Sequence, residues 1–113
     1  MLAARYRLPA TQKLTRATYK RTSYFSVKYV QSGMSESRFA FVVPKRVDKS
    51  AVIRNRIRRV FRSCIEKHLY EFVPGYDMLF FPEKCIIDKS YTEICRQLHT
   101  FLDQEKLLLK KTS

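Results

Sequence analysis

One stretch limits what this chain can become more than any other. From residue 50 to about residue 72, Ile53, Ile57, Val60, Phe61, Cys64, Ile65 and His68 recur at intervals of three and four. On a turn of 3.6 residues that spacing lines them along one face, so the segment is expected to be a helix with Asp48 or Ser50 as its N-cap. A helix with one clean apolar face needs a second layer to cover it. The sequence supplies that layer on both sides. Residues 38–43 (Arg-Phe-Ala-Phe-Val-Val) form a near-continuous apolar run closed by Pro44, and residues 77–81 form another, stopped by Pro82. Strand, helix and strand together predict a crossover unit with parallel strands.

The remaining segments fit around this unit. Residues 24–30 alternate, with Phe25, Val27 and Tyr29 on one face and Ser26 and Lys28 on the other, as in a half-buried strand. A short polar connector containing Gly33 follows, which predicts a hairpin with the next strand. Ser90-Tyr91-Thr92-Glu93 is a capping-box pattern opening a last helix. Its stripe is Tyr91, Ile94, Leu98, Phe101 and Leu102, expected to continue through Leu107 to Leu109 and to end on Lys110 and Lys111. Near the start, residues 1–10 read as a loose basic arm. Residues 11–19 read as a short helix, though threonine is a poor helix former. The expected fold is α/β: a single-domain two-layer sandwich over residues 1–113, in the order α-β-β-α-β-α.

Charge points to the partner. The 113 residues carry 23 Lys and Arg against 10 Asp and Glu, a net +13. Residues 1–37 hold 7 basic and 1 acidic side chain, residues 38–62 hold 9 and 1, and residues 63–113 hold 7 and 8. A polyanion is therefore expected against the first half of the chain. Within the central helix Arg54, Arg58 and Arg62 form one line, Asn55 and Arg59 the next, and Arg56 lies further round. Each like-charged neighbour disfavours an isolated helix by a few tenths of a kcal/mol, and no acid offsets them before Glu66. A solvated helix would mix signs. The planar guanidinium suits bidentate phosphate bonds and base stacking, so nucleic acid is the expected ligand, ahead of a membrane surface. Lys45 and Arg46, just before the helix N-terminus, make an anion-binding corner. No apolar run approaches a membrane span. Phe39 and Phe41 read as core, and Tyr24, Lys28 and Tyr29 as candidates for holding single-stranded nucleic acid.

Nucleophile and acid–base arrangements are not evident, so no catalytic residue is expected in the protein. His68 reads as a core histidine, and His99 lies near the apolar stripe of the last helix. Cys64, Cys85 and Cys95 are odd in number and lack C-x-x-C spacing, which predicts core thiols in a reducing compartment. A zinc site would need His68 or His99 nearby in space, and no spacing supports one, so no metal ligand is assigned. The acid-free first 35 residues imitate a transit peptide. Residues 25–30 read as a strand of the fold itself, so a cytoplasmic protein is expected.

Val43-Pro44-Lys45-Arg46-Val47, followed by Lys49-Ser50-Ala51-Val52-Ile53-Arg54-Asn55-Arg56-Ile57-Arg58-Arg59, resembles the signature of the ribonuclease P protein family. The Pro-Gly-Tyr-Asp turn at residues 74–77, the apolar strand after it and the capped last helix follow the family's order, and the resemblance covers about residues 20–108. It implies a left-handed crossover around the Arg-Asn-Arg helix, where generic rules give a right-handed one. It also implies that Arg54, Asn55, Arg56, Arg58, Arg59 and Arg62, with Lys45 and Arg46, meet a catalytic RNA. That RNA, using Mg²⁺ that it holds itself, would remove the 5′ leader of precursor tRNA. The leader would lie between the first helix and the sheet. The pair of phenylalanines that the family usually carries there is missing, and Leu14, Lys28 and Tyr29 are the substitutes. The alternative is a ribosomal or architectural RNA binder with no processing role.

Overall fold

The computed structural model describes residues 3–9 and 12–109, and of Tyr70 the backbone alone. Four strands and two long helices make up the fold: β1 (Thr18–Arg21), β2 (Phe25–Gln31), β3 (Arg38–Phe41), α1 (Ala51–Lys67), β4 (Tyr76–Pro82) and α2 (Tyr91–Gln104). Single 3₁₀ turns occupy Ala4–Tyr6, Leu69–Glu71 and Lys84–Asp88. The sheet order is β1-β2-β4-β3. β3 and β4 are parallel, as a strand–helix–strand unit requires, and the other two pairings are antiparallel.

Two expectations about connectivity change. β2 and β3 do not pair with each other, because β4 lies between them. Their short connector crosses the end of β4 and is fastened there. The Ser32 backbone N–H donates to the Gly75 carbonyl at 2.7 Å, and the Ser37 hydroxyl donates to Val73 at 2.9 Å while accepting from Tyr76 N–H at 3.1 Å. Nor is there a helix at residues 12–19. The chain turns at Arg16, which has φ of 56°, and enters β1. Thr18 and its neighbours suit a strand, and pairing with β2 satisfies backbone groups along that strand's outer edge. Ala10, Thr11 and the expected terminal Lys110 and Lys111 lie outside the described residues.

Both helices pack on one face of the sheet. Phe25 sits among Phe61 of α1, Phe80 of β4 and Phe101 of α2, with ring centroids 5.6–6.0 Å apart. Phe39 and Phe41 belong to this core, as expected. Ser50 caps α1 through its hydroxyl, which accepts from Ile53 N–H at 3.4 Å, and Ser90 does the same for α2 with Glu93 N–H at 3.2 Å. Each helix is shorter than expected. α1 stops at Lys67, and after a 3₁₀ turn Phe72 is drawn inward onto Phe39, 4.9 Å between centroids. α2 stops at Gln104. Lys106, with φ of 58°, reverses the chain so that Leu107 folds back into the core and its N–H donates to the Leu102 carbonyl at 2.9 Å. Burying Leu107 outweighs one more helical turn.

The thiol expectation is corrected. Cys64 of α1 and Cys95 of α2 form a disulfide with a Cα–Cα distance of 5.2 Å, and Cys85 is exposed. His68 is not a core residue either. It is half-buried at the end of α1, with Nδ1 3.2 Å from Glu71 Oε2 and its ring 5.1 Å from that of His99.

Candidate nucleic-acid interface

Burial of Ile57, Phe61, Cys64 and Ile65 fixes how α1 is rotated, and that rotation aims its arginines outward. Asn55, Arg56 and Arg59 are exposed, while Arg54, Arg58 and Arg62 are half-buried. Arg58 leans back over the chain after β3. It donates to the Asn55 side-chain oxygen at 2.6 Å and, weakly, to the Val43 carbonyl at 3.4 Å. Burial lowers its pKa below the ordinary arginine value, with Arg54 and Arg62 pushing the same way. Arg54 donates to the Asp48 carbonyl at 3.3 Å. Both contacts grip the segment that carries Lys45 and Arg46, whose own anchor is buried Val47. The structure thus brings the corner and the stripe together. Arg56 stands apart, on the rim of a groove with Ile53, Ile87 and Tyr91 on the α2 side.

Arg5–Glu36, Arg21–Glu83, Arg38–Asp77 and His68–Glu71 are ion pairs that lie away from this stripe, and Glu66 shares a recess with Arg59 and Arg62 at its far end. The contacts of Arg54 and Arg58 are to neutral carbonyl and amide oxygens, which leave the charge of these two side chains unneutralised by those bonds.

The opposite face of the sheet is a second surface. Residues paired across strands share a face, and the register Tyr19↔Lys28↔Leu79↔Ala40 sets one row, with Arg21↔Ser26↔Phe81 beside it. Leu8, Ala40 and Leu79 make a small apolar cluster here, with Leu14 and Phe81 packed against it. Lys28 is exposed, its Nζ 5.9 Å from the centre of the Phe81 ring. Arg46 reaches this side too, lining a recess with Ser26, Phe81 and Lys84.

Leu14 and Lys28 therefore share a surface, but Tyr29 does not join them. It faces the helices, where its hydroxyl donates to Glu105 at 2.5 Å. Burial, then Glu105, raises its pKa well above the ordinary tyrosine value. Tyr24 is likewise tied to α2 through Glu93 at 2.5 Å. The residues that sequence reasoning passed over are Tyr19 and Phe81. Alternation in β4 could have set Phe81 opposite Phe80. Tyr19 was hidden by reading its segment as a helix.

The model of the Ribonuclease P family matches residues 10–106. The chain belongs to the Ribonuclease P family. It is 32% identical over 77 residues to a ribonuclease P protein component of Carboxydothermus hydrogenoformans, covering 66% of each chain. With that of a Synechococcus strain it shares 32% over 73 residues, 65% of this chain and 55% of the relative. The match to Clostridium kluyveri's is 37% over 86 residues, covering 70% and 76%. The chain thus spans two thirds or less of the first two relatives. In fold it is similar to the RNase P protein of Thermotoga maritima, with a TM-score of 0.78, 21% identity and coverage of 87% and 96%. The Staphylococcus aureus RNase P protein gives 0.76 at 21% identity, covering 100% and 99%. Those two likenesses bear on architecture, and the family match places the Arg-Asn-Arg helix inside the shared region.

Proposed function

We propose that the chain is the protein subunit of ribonuclease P, binding the RNA subunit through α1 and assisting removal of the 5′ leader from precursor tRNA. The observation that carries this reading is the arginine face of α1. Five guanidinium groups and Asn55 stand on a capped helix, with exposed Lys45 and Arg46 on the segment just before its N-terminal end. Phosphates entering there would meet fixed fork-shaped donors and a helix N-terminus. Asn55, its oxygen held by Arg58, keeps its amide N–H groups for a phosphate, sugar or base edge.

The far face of the sheet fits the single-stranded leader. Phe81 and exposed Tyr19 offer rings, Lys28 a cation, and Leu14 an apolar edge. Arg46 joins this surface to the helix, so one RNA-bound substrate could touch both.

Guanidinium groups and an amide do not fit a Mg²⁺ shell, which takes oxygen ligands and keeps several waters. The ion is accordingly assigned to the RNA, together with the hydrolytic step. This chain contributes charge neutralisation and positioning. The test is reconstitution with a bacterial ribonuclease P RNA. At low Mg²⁺, adding the protein should raise cleavage of precursor tRNA, and a flat response would favour a ribosomal or architectural RNA binder.

A further inference from the structure

The end of α1 remote from Ser50 carries a constellation outside the proposed RNA-binding residues. His68 closes α1, Glu71 lies in the 3₁₀ turn after it, and His99 projects from α2. Their ligand atoms all lie within 4.8 Å of one another. Three elements therefore deliver two imidazoles and a carboxylate to one spot, which no sequence spacing foretold.

We propose that His68, Glu71 and His99 form a binding site for one divalent transition-metal ion of the zinc class. The chemistry of the donors selects that class. Zinc accepts His nitrogen and carboxylate oxygen together, and three protein ligands leave a fourth position for water. Calcium and magnesium prefer oxygen-only shells. Ligands about 2.1 Å from a shared ion stand about 3.4 Å apart in a tetrahedron, so closing the set needs roughly 1.4 Å of side-chain movement at its widest. His68 Nδ1 and Glu71 Oε2, 3.2 Å apart, already meet that spacing. The partly buried pair and the exposed His99 leave an entry path from solvent.

Two features hold the site ready. Cys64 and Cys95 lie four residues before His68 and His99, so the disulfide and the histidine pair advance in step along both helices. The cross-link fixes the helix separation one turn from the ligands. The carbonyl end of α1 also carries negative partial charge, which favours a cation beside its last residue. A bound ion would tie α1, the turn and α2 together, away from the arginine face.

The experiment uses the full chain, freed of metal with a chelator. Co²⁺ titration should give visible d–d bands saturating at one ion per chain. His99→Ala, at an exposed position, and the isosteric Glu71→Gln should each weaken that binding by roughly tenfold or more. Zn²⁺ at about a hundredfold excess over its Kd should raise the parent's Tm by roughly 10 °C and move His99→Ala much less. Absence of stoichiometric binding below about 1 mM, a level of roughly 4 kcal/mol, would overturn the proposal. So would binding indifferent to both substitutions. A third contrary result is an intense thiolate-to-cobalt band appearing only after reduction, which would give the ion to Cys64 and Cys95 instead. All these readouts are independent of ribonuclease P activity.

Discussion

Replacing Arg54, Arg58 and Arg62 together with alanine removes one line of charge from α1 and leaves its buried face intact. Each phosphate contact contributes about 0.7–0.9 to the slope of log affinity against log salt. Arg54 and Arg58 have long bonds to carbonyls, 3.3 and 3.4 Å, which leave most of their five donors open. If all three contact phosphate, the slope should fall by about 2 to 2.7, and a fourfold rise in salt should cost the variant about 15- to 40-fold less affinity than the parent. Stability is the internal control. The substitutions relieve three like-charge pairs (Arg54 with Arg58, and Arg62 with Arg58 and Arg59) at about 0.2–0.5 kcal/mol each, lose the opposite-charge spacing of Arg62 and Glu66, and introduce a better helix former. Against this stand the lost Arg58–Asn55 bond of 2.6 Å at an exposed position and the two long bonds to the Asp48 and Val43 carbonyls. Tm should therefore shift by no more than the equivalent of about 1 kcal/mol. Binding to the RNA subunit, titrated by fluorescence between 50 and 400 mM salt at roughly these ionic strengths, reads the slope directly. A folded variant with the parent's slope would show that this line of arginines faces solvent in the complex, and the reasoning would fail.

Other consequences can be checked separately. Phe61→Ala empties the junction of Phe25, Phe41 and Phe80 and should destabilise by about 3–5 kcal/mol in urea unfolding. Reducing the Cys64–Cys95 bond, which spans 31 residues, should lower stability by about 3–4 kcal/mol, read as the shift in unfolding midpoint with a phosphine reductant. Phe81→Ala should weaken binding of a single-stranded 5′ leader by about 1–3 kcal/mol and Lys28→Ala by less. Tyr29→Phe should leave that binding unchanged, since its hydroxyl is turned toward Glu105; a loss equal to that of Phe81→Ala would reverse the assignment of faces.

Local rules reached the elements that are amphipathic on their own. The period of three and four in α1, the Ser50 and Ser90 caps and the alternation of β2 are short-range facts. They hold because a side chain's face depends only on the few residues around it. The arginine stripe was legible for the same reason. Reading failed where a contact between distant segments chose between local options. Residues 18–21 became a strand because β2 offered an edge, and Leu107 left the helical path because the core offered a hole. Tyr29 shares the apolar face of β2 with Phe25 and Val27, opposite Lys28, so alternation already argued against grouping it with Lys28; the structure adds the partner, Glu105 at the end of α2.

The sequence alone determined that an α/β domain would carry a stripe of arginines along its central helix, because helix periodicity and charge are properties of one segment. Tertiary structure decided that β4 separates β2 from β3, that Cys64 meets Cys95, and that His68, Glu71 and His99 converge. Each of those joins residues far apart in the chain or on different elements. Their proximity depends on how whole layers stack, and no spacing along the chain encodes it.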